Sequence, residues 1–324
     1  MADHLKNVGI GVLLLFVAAV ETAPAAAGKW ISGEHAEREY RLYVPASHGE
    51  RPAPLVVMLH GCTQSPETFA ESTRMNVHAE SAGFLVLYPA QKVSANPTRC
   101  WNWFTPRNQA RGSGEPAEIV EIIEQVARQY SIDRKRIYVA GLSAGASMSA
   151  VLAACYPDTF AAAAIHDGTM YKAASSLLEA QKVMLTGKAP DPERLGAEAW
   201  ACGGKRPLPV PVMVWHGEGD NVVNRANAEL IVRQFIALND LADDGKSNGS
   251  AKKQAPSKKS GAVDGGYRYQ VTSHSLGGRP LVEYYQVAEM GHAWSGGKDD
   301  LLFSDAKGPD ASLLIWGFFK QFSR

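Results

Sequence analysis

The sequence predicts an α/β protein in which a mostly parallel central sheet is flanked by helices. From Arg38 onward, short runs rich in β-forming residues alternate with stretches of helical periodicity, a pattern typical of parallel sheets wrapped by helices. The run at residues 136–140 passes through a glycine-rich turn directly into a helical stretch that ends near residue 154. With 324 residues and 45% apolar content, the chain can bury a full core.

The individual elements follow from apolar runs and their spacing. The helix that opens at Glu115 and Pro116 has apolar residues every three or four positions, so one of its faces should lie against the sheet. We predict buried strands at residues 55–59, 84–88, 136–140, 160–165, 210–215 and 281–287, and further helices at residues 227–238 and 312–322.

Two stretches lack a clear period. Residues 171–204 show no regular spacing of apolar positions, and we expect them to form a small cap over the site. Residues 243–266 are rich in Ser, Lys, Gly and Asp, which predicts a disordered surface insertion within a single domain spanning residues 28–324. We expect the lysines of this insertion to be solvated rather than bound to an anionic partner.

The charge balance and the N-terminus bear on partners and location. The 33 basic residues equal the 33 acidic residues, which argues against nucleic acid as a partner. Lys6 precedes an apolar run at residues 8–20, and the small residues at 23–27 match an A-x-A cleavage pattern. The run is shorter than the roughly 18 to 20 residues that span a bilayer. We therefore predict a signal peptide at residues 1–27 and a secreted protein without stable membrane insertion, the alternative being an uncleaved anchor or a buried helix.

The chain has four cysteines, which an oxidising compartment would favour as disulfides. They contain no C-x-x-C pair and have no nearby histidine at ligand spacing, so we expect no zinc or other metal site. Three pairings are possible for four cysteines. The sequential pairing is the one we expect, Cys62 with Cys100 and Cys155 with Cys202.

A strand–turn–helix motif provides a candidate nucleophile. Residues 141–145 have the sequence GLSAG, a G-x-S-x-G pattern between a predicted strand and a predicted helix. Such a turn lifts the side chain of Ser143 above the sheet, while Gly141 and Gly145 allow the strand and the helix to pack closely. The alternative is a structural turn with an inert serine.

A serine nucleophile needs a histidine base and a carboxylate that orients the histidine. Asp220 follows the predicted strand at 210–215, and His292 lies in the loop after the last predicted strand, so the order matches the α/β-hydrolase arrangement. Weaker competitors for the acid are Glu218 and Asp167. Two further histidines precede glycines at strand ends, where they more often support loops: His60 and His216.

Acyl transfer also needs two hydrogen-bond donors for the developing oxyanion. The backbone N–H of Ala144, directly after the candidate nucleophile, is the first. The backbone N–H of Cys62 is the expected second donor, because its segment follows the predicted strand at 55–59. A disulfide at Cys62 would stiffen this loop.

Four short segments carry a family signal when they are taken together. They are residues 60–64 (HGCTQ), 100–104 (CWNWF), 141–145 (GLSAG) and 291–294 (GHAW). In combination they resemble the polyhydroxybutyrate (PHB) depolymerase family of esterases, over roughly residues 38–322. Secreted feruloyl and acetylxylan esterases look similar too.

The resemblance implies an α/β-hydrolase fold and a set of site residues. The implied triad is Ser143, Asp220 and His292, with Cys62 and Ala144 as oxyanion donors, a Cys62–Cys100 bridge, and no metal or organic cofactor. The resemblance also implies that three tryptophans lie near the acyl pocket, namely Trp101, Trp103 and Trp294. Aromatic walls would suit a hydrophobic polyester or an aryl acid. The alternative for each tryptophan is core packing.

The implied activity is that of a secreted serine esterase that hydrolyses poly(3-hydroxybutyrate), other hydroxyalkanoate esters or their oligomers through an acyl-enzyme. The alternatives are a feruloyl or acetylxylan esterase acting on plant cell-wall polysaccharide, a peptidase or lipase on the same scaffold, and a catalytically silent binding protein. Family members that attack solid polymer commonly carry a linker and a separate substrate-binding domain, and we expect none in this chain.

Overall fold

A ten-stranded sheet organises the molecule, which we describe from a computed structural model over residues 28–204, 208–250 and 254–324. A separate two-stranded pair lies beside it. In chain order the strands are β1 (Lys29–His35), β2 (Arg38–Val44), β3 (Ala53–Leu59), β4 (Leu85–Pro89), β5 (Ile132–Leu142), β6 (Ala162–His166), β7 (Val212–Gly217), β8 (Ser257–Ala262), β9 (Arg268–Leu276), β10 (Arg279–Val287), β11 (Trp294–Ser295) and β12 (Ser304–Asp305).

The helices lie between these strands in the chain. They are α1 (Pro66–Thr73), α2 (Met75–Ala82), α3 (Gly114–Gln129), α4 (Ala144–Cys155), α5 (Leu177–Thr186), α6 (Pro192–Cys202), α7 (Ala226–Asp244) and α8 (Ala311–Phe319), together with a 3-10 turn at Pro106–Gln109.

The centre of the sheet is parallel, and its edges are antiparallel. The spatial order is β1-β2-β4-β3-β5-β6-β7-β10-β9-β8, with parallel pairing from β4 through to β10. The pairs β1–β2, β2–β4, β10–β9 and β9–β8 are antiparallel. Because the carboxyl ends of the parallel strands meet at one edge, the loops that follow β3, β5, β6, β7 and β10 converge there. The predicted fold class is confirmed.

Helices cover both faces of the sheet, and each face has its own apolar core. Along β3, Leu55 and Val57 point to the core that contains α3, α4 and α7, whereas Val56 and Met58 point to the core that contains α1, α2 and α8. All seven residues of β3 are buried, as expected for a central strand that is covered on both sides. The apolar stripe predicted for α3, including Ile119 and Ile123, is fully buried.

The structure differs from the sequence-based expectations in two regions. Residues 171–204, which lack a clear apolar period, contain helices α5 and α6. The prediction of disorder for residues 243–266 is wrong for residues 243–244 and 257–262, which belong to a helix and a strand. Asp243 and Asp244 complete α7, and β8 pairs with β9 by backbone hydrogen bonds although it offers no large apolar side chain.

Two expectations fall on residues outside the described ranges. The predicted signal peptide at residues 1–27 lies outside them, and so do residues 251–253 of the predicted insertion. Among the helices of the described chain, none combines the length and the apolar character that a transmembrane crossing requires.

Candidate active site

Ser143 lies at the sharp turn between β5 and α4. Its φ of 57° and ψ of −118° place a non-glycine residue in a sparsely populated backbone region, which persists only where the surroundings enforce it. Its backbone N–H donates to the carbonyl oxygen of His166 at 2.9 Å. A Cβ atom at Gly141 would lie 2.4 Å from the backbone of Gly145, so the turn requires the glycine that the motif supplies.

Asp220 and His292 form a hydrogen-bonded pair at the carboxyl edge of the sheet. The distance from His292 Nδ1 to Asp220 Oδ2 is 2.7 Å. The other carboxylate oxygen of Asp220 accepts the backbone N–H groups of Val222 at 2.8 Å and Val223 at 2.9 Å. Because both oxygens of Asp220 have donors, the carboxylate is fixed in the orientation that it presents to the imidazole.

The environment of His292 favours its protonated form. Burial by itself would lower the pKa of His292, but the hydrogen bond to Asp220 and the negative charges of Asp167 and Asp220 outweigh burial and raise the pKa above its ordinary value. The imidazole can therefore accept a proton at neutral pH and hold it as an imidazolium.

Ser143 and His292 do not hydrogen-bond directly to each other within the described residues. Such contacts are often long in enzymes without substrate and tighten when the substrate binds. The structure thus brings Asp220 and His292 into direct contact and places Ser143 at the same sheet edge, after β5, which is separated from β7 by β6.

A second buried carboxylate lies beside this pair. Asp167 directly follows β6 and is fully buried, and one of its carboxylate oxygens lies within 4.8 Å of one polar side-chain atom each of Asp220 and His292. Because His292 Nδ1 and Asp220 Oδ2 already bond to each other, we interpret the group as an acid–base cluster rather than as a set of metal ligands. Sequence reasoning ranked Asp167 only as a competitor for the role of Asp220.

Two buried histidines accompany Asp167. His166 is stacked between the rings of Trp215 and Trp294, at centroid distances of 5.7 and 5.0 Å. His216 bonds through Nε2 to the carbonyl oxygen of Val223 at 3.0 Å, which agrees with the expected role in loop support. His166 was not among the residues predicted for the site. It directly follows the strand predicted at residues 160–165, and this position could have indicated that it lies at the carboxyl edge of the sheet.

The candidate oxyanion donors are the backbone N–H groups of Cys62 and Ala144. Both residues line the cavity that also contains Ser143. Within the described residues, neither N–H donates to a backbone or side-chain acceptor. Cys62 is bonded to Cys100, so the loop after β3 is tied covalently to the CWNWF segment. The second bridge joins Cys155 to Cys202, and the expected sequential pairing is confirmed.

His60 supports the loop that carries Cys62. Its Nε2 accepts the backbone N–H of Gln91 at 3.1 Å, which leaves Nδ1 to donate to the carbonyl oxygen of Gly61 at 2.8 Å. Burial lowers the pKa of His60 to about 4, so the ring remains neutral. The expected structural role of His60 fits these contacts.

A buried glutamate organises the segment after Cys100. Glu115 accepts the backbone N–H of Asn102 at 2.8 Å and its side-chain amide at 2.7 Å. Its carboxylate also accepts the side-chain amide of Gln91 at 2.6 Å. Sequence reasoning placed Glu115 at a helix start and missed this function, for which the signal was a carboxylate at the N-terminus of a helix.

The cavity beside Ser143 has a volume of about 420 Å³ and a mostly apolar wall. Trp101 and Trp103 line it, as expected. Helix α5, from the stretch predicted as a cap, contributes Leu177, Ala180 and Met184.

Trp294 does not line this cavity, in contrast to the expectation. Its side chain is fully buried, its Nε1 donates to Ser312 Oγ at 3.1 Å, and its ring meets Phe69 edge-on at 5.6 Å. Trp294 follows Ala293 rather than His292 directly, and its side chain packs into the core that contains α8. The expected contact with substrate is therefore corrected to core packing.

The strand order, the serine turn and the positions of the acid and the histidine define an α/β-hydrolase. The chain belongs to the PHB depolymerase family, because the family model described as "Esterase PHB depolymerase" matches residues 38–255.

Curated relatives are similar over part of their length. Poly(3-hydroxyalkanoate) depolymerase C of Paucimonas lemoignei is 38% identical over 242 residues, which are 74% of this chain and 55% of the relative. Feruloyl esterase B of Neurospora crassa is 29% identical over 56% of this chain and 63% of its own length. The chain thus spans somewhat more than half of the length of these relatives.

Among solved structures, the acetyl xylan esterase from Aspergillus awamori has the same fold. It superposes with a TM-score of 0.70 over 91% of this chain and 99% of its own, at 21% sequence identity.

Proposed function

We propose that this protein is a secreted serine esterase that hydrolyses poly(3-hydroxybutyrate), other hydroxyalkanoate esters or their oligomers through an acyl-enzyme. The observation that carries the proposal is the strained serine turn at Ser143, which lines an apolar cavity and lies at the same sheet edge as the Asp220–His292 pair. The similarity to the depolymerase of Paucimonas lemoignei supports the choice of acyl group.

In the proposed first half-reaction, the Ser143 hydroxyl oxygen attacks the ester carbonyl carbon as its proton moves to His292 Nε2. Asp220 keeps Nδ1–H in place through the 2.7 Å hydrogen bond and stabilises the imidazolium. The N–H groups of Cys62 and Ala144 bind the oxyanion. When the tetrahedral intermediate collapses, the carbon–oxygen bond to the leaving alcohol breaks, and His292 transfers its proton to that oxygen.

The second half-reaction uses water in the place of the serine hydroxyl. His292 takes a proton from water, and the resulting oxygen nucleophile attacks the acyl-enzyme carbonyl. The bond to Ser143 then breaks, and the proton returns from His292 to the serine oxygen. The products are a free acid and regenerated enzyme, with no external oxidant or cofactor consumed.

A second candidate function is that of a feruloyl or acetylxylan esterase. The aromatic side chains of Trp101, Trp103 and Phe104 in the cavity wall suit an aryl acid as well as an aliphatic one. Relatives with those names support this candidate less strongly, because their sequence identity to the chain is lower or their coverage of it is shorter.

The decisive experiment compares initial rates on soluble hydroxybutyrate oligomers, polymer film, methyl ferulate and acetylated xylan. Ser143→Ala serves as the blank, and a fluorophosphonate probe reports separately whether Ser143 is activated. Rapid oligomer cleavage supports the proposal, and film erosion would show that solid polymer is attacked. A preference for releasing ferulate or acetate would contradict the polyester proposal and support the second candidate function. Failure of the folded protein to react with the probe would remove the esterase mechanism and favour a binding role.

Export is a separate part of the proposal. The sequence of residues 1–27 and the two disulfides support it. Mass spectrometry of the protein recovered from the producing cell's exterior or periplasm tests it. Cleavage after Ala25 or Ala27 is the expected result, and an uncleaved protein retained in the cytoplasm would contradict it.

A further inference from the structure

Asp167 has no role in the mechanism derived above, although it faces the same histidine as Asp220. One carboxylate oxygen of each aspartate and one nitrogen of His292 lie within 4.8 Å of one another. The two carboxylates come from adjacent parallel strands, since Asp167 directly follows β6 and Asp220 follows β7. The strand order therefore delivers two acids to one imidazole.

The structure holds Asp167 in place with several partners. Its Oδ2 lies 3.2 Å from His166 Nδ1, and its Oδ1 accepts the backbone N–H of Gly217 at 3.2 Å. His216 Nδ1 lies 3.3 Å from the same Oδ1. Among the residues that the structure describes, the carboxylate meets the Gly217 N–H and the rings of His166 and His216, an arrangement that suits a charged carboxylate better than a neutral acid.

The backbone of Asp167 is also unusual. Its φ is +53°, in the left-handed region that non-glycine residues seldom occupy and that aspartate tolerates better than most. Such a conformation is retained where the surrounding contacts determine it, and it is frequent next to functional sites.

The titratable groups around Asp167 come from three strands and one loop. His166 is the last residue of β6, His216 lies on β7, and His292 lies on the loop after β10. Tyr284 lies on β10, and the negative charge of Asp167 contributes to its raised pKa. Burial by itself would raise the pKa of Asp167, but the three histidines outweigh burial and lower it. Asp167 is thus ionised at neutral pH. Its charge in turn is one of the causes of the raised pKa of His292.

We propose that Asp167 is a second carboxylate of the catalytic histidine, a positioning residue that stabilises the His292 imidazolium from a direction different from that of Asp220. This inference rests on the proposed serine esterase mechanism. In it the proton moves only between Ser143, His292 and the leaving group or water, and neither aspartate takes it up. Asp167 acts through its charge and through the shared cluster, so it also sustains part of the function when Asp220 is neutralised.

The test compares Asp167→Asn, Asp220→Asn and the double variant on p-nitrophenyl acetate. This activated ester reports the Ser143 mechanism independently of any polyester specificity, so a failure on polymer substrates and a failure of this inference remain distinguishable. We expect kcat/KM to fall about 10-fold for Asp167→Asn and about 100-fold for Asp220→Asn. The double variant should lose about 10,000-fold, the loss typical of a triad whose only carboxylate is neutralised.

The pH dependence gives a readout that a merely structural role would not move. Neutral His292 is the active base, so kcat/KM rises with pH through the pKa of His292. Removal of a nearby negative charge lowers that pKa, and the rising limb should move to lower pH by about one pH unit in Asp167→Asn. The same shift should appear in the titration of the His292 ring carbons by NMR, a measurement that needs no substrate. Asp167→Glu, which retains the charge, should restore the limb.

Glu218→Gln is the matched control, because it removes an exposed carboxylate only two positions from Asp220. Its profile should equal that of the wild type. If Asp167→Asn does not fold, as judged by thermal melting, Asp167→Ser serves instead, since it also removes the charge and places a smaller polar side chain at the site. The inference would be overturned if the titration of His292 were unchanged in the variant that removes the charge. It would also be overturned if Asp167→Asn lowered kcat/KM by no larger a factor in the Asp220→Asn background than in the wild type.

Discussion

Gly145 packs directly against the backbone of Leu59, at the end of the neighbouring strand β3. A Cβ atom at Gly145 would lie 2.0 Å from the carbonyl oxygen of Leu59, a distance that no real contact allows. The serine turn and the loop that carries Cys62 are therefore held at a fixed separation by the absence of one side chain. That separation sets the spacing between Ser143, the proposed nucleophile, and the backbone N–H of Cys62, the proposed second oxyanion donor.

Gly145→Ala is expected to lower the free energy of unfolding by about 3 kcal/mol or more, because the colliding atoms belong to the backbone and have little freedom to move. Urea denaturation measures the change. Gly291→Ala is the control, since a Cβ there meets no atom within 4 Å. Equal stability of the two variants would show that the strand and the helix can separate without cost.

The two disulfides are expected to have similar effects on stability and different effects on catalysis. The bridges close comparable loops, with sequence separations of 38 and 47 residues. Removing either one, as Cys62→Ser/Cys100→Ser or Cys155→Ser/Cys202→Ser, should lower the free energy of unfolding by about 3 to 4 kcal/mol. Only the first pair should reduce kcat, by about 10- to 100-fold, because it frees the loop of one oxyanion donor.

Steady-state rates on p-nitrophenyl acetate, measured at a temperature where both double variants are folded, provide the comparison. Cys155→Ser/Cys202→Ser controls for the general loss of a cross-link. A similar fall of kcat in the two double variants would mean that the Cys62–Cys100 bridge has no particular role at the site.

Protonation of His60 is expected to contribute to acid unfolding. The folded state lowers the pKa of His60 to about 4, whereas in the unfolded chain it returns to about 6.5. The unfolded state thus binds more protons between these values, and the contribution to stability is complete above about pH 6.5 and is lost as the pH falls towards 4. The loss amounts to about 3 kcal/mol. Urea denaturation at a series of pH values, at constant ionic strength, measures it; a variant His60→Gln with the same pH slope as the wild type would refute the assignment.

The size of the cavity is expected to limit the acyl group. Ala180 is buried in the cavity wall, and Ala180→Leu should narrow the space beside Ser143. We expect kcat/KM for p-nitrophenyl butyrate to fall about 10-fold more than that for the acetate, a difference of the size that one or two methylene groups produce. Leu178→Ala alters an exposed side chain on the same helix and serves as the control. Equal falls of kcat/KM on the two esters would mean that the acyl group does not bind beside Ala180.

The central sheet could be predicted from the sequence because its strands are buried on both faces and are therefore continuous apolar runs. The outer strands are harder to recognise. In β8 all six residues lack a large apolar side chain, and the strand exists because β9 offers backbone partners, which a local pattern does not reveal. Helices α5 and α6 are amphipathic only in part, so their period is weak.

The proposed triad acid and base followed from chain order, but the cluster around them did not. The proximity of Asp167 to His292 depends on β6, β7 and β10 lying side by side in the sheet, and sequence spacing carries no information on that. Trp294 shows the opposite error. It is two positions from His292, the proposed catalytic base, in the chain, yet its side chain points into the core.

Strand β8 is the edge strand at one end of the sheet, and it carries two consecutive lysines. Lys258 and Lys259 are both exposed on this edge strand, opposite Thr272 and Val271 of β9. An open edge offers unpaired backbone groups to any extended chain, including a second copy of the same protein. Lys258 and Lys259 are consecutive and therefore point to opposite faces of the sheet. Two such edges that approached each other would bring like charges together on both faces, so the same segment that extends the sheet also discourages its growth into aggregates.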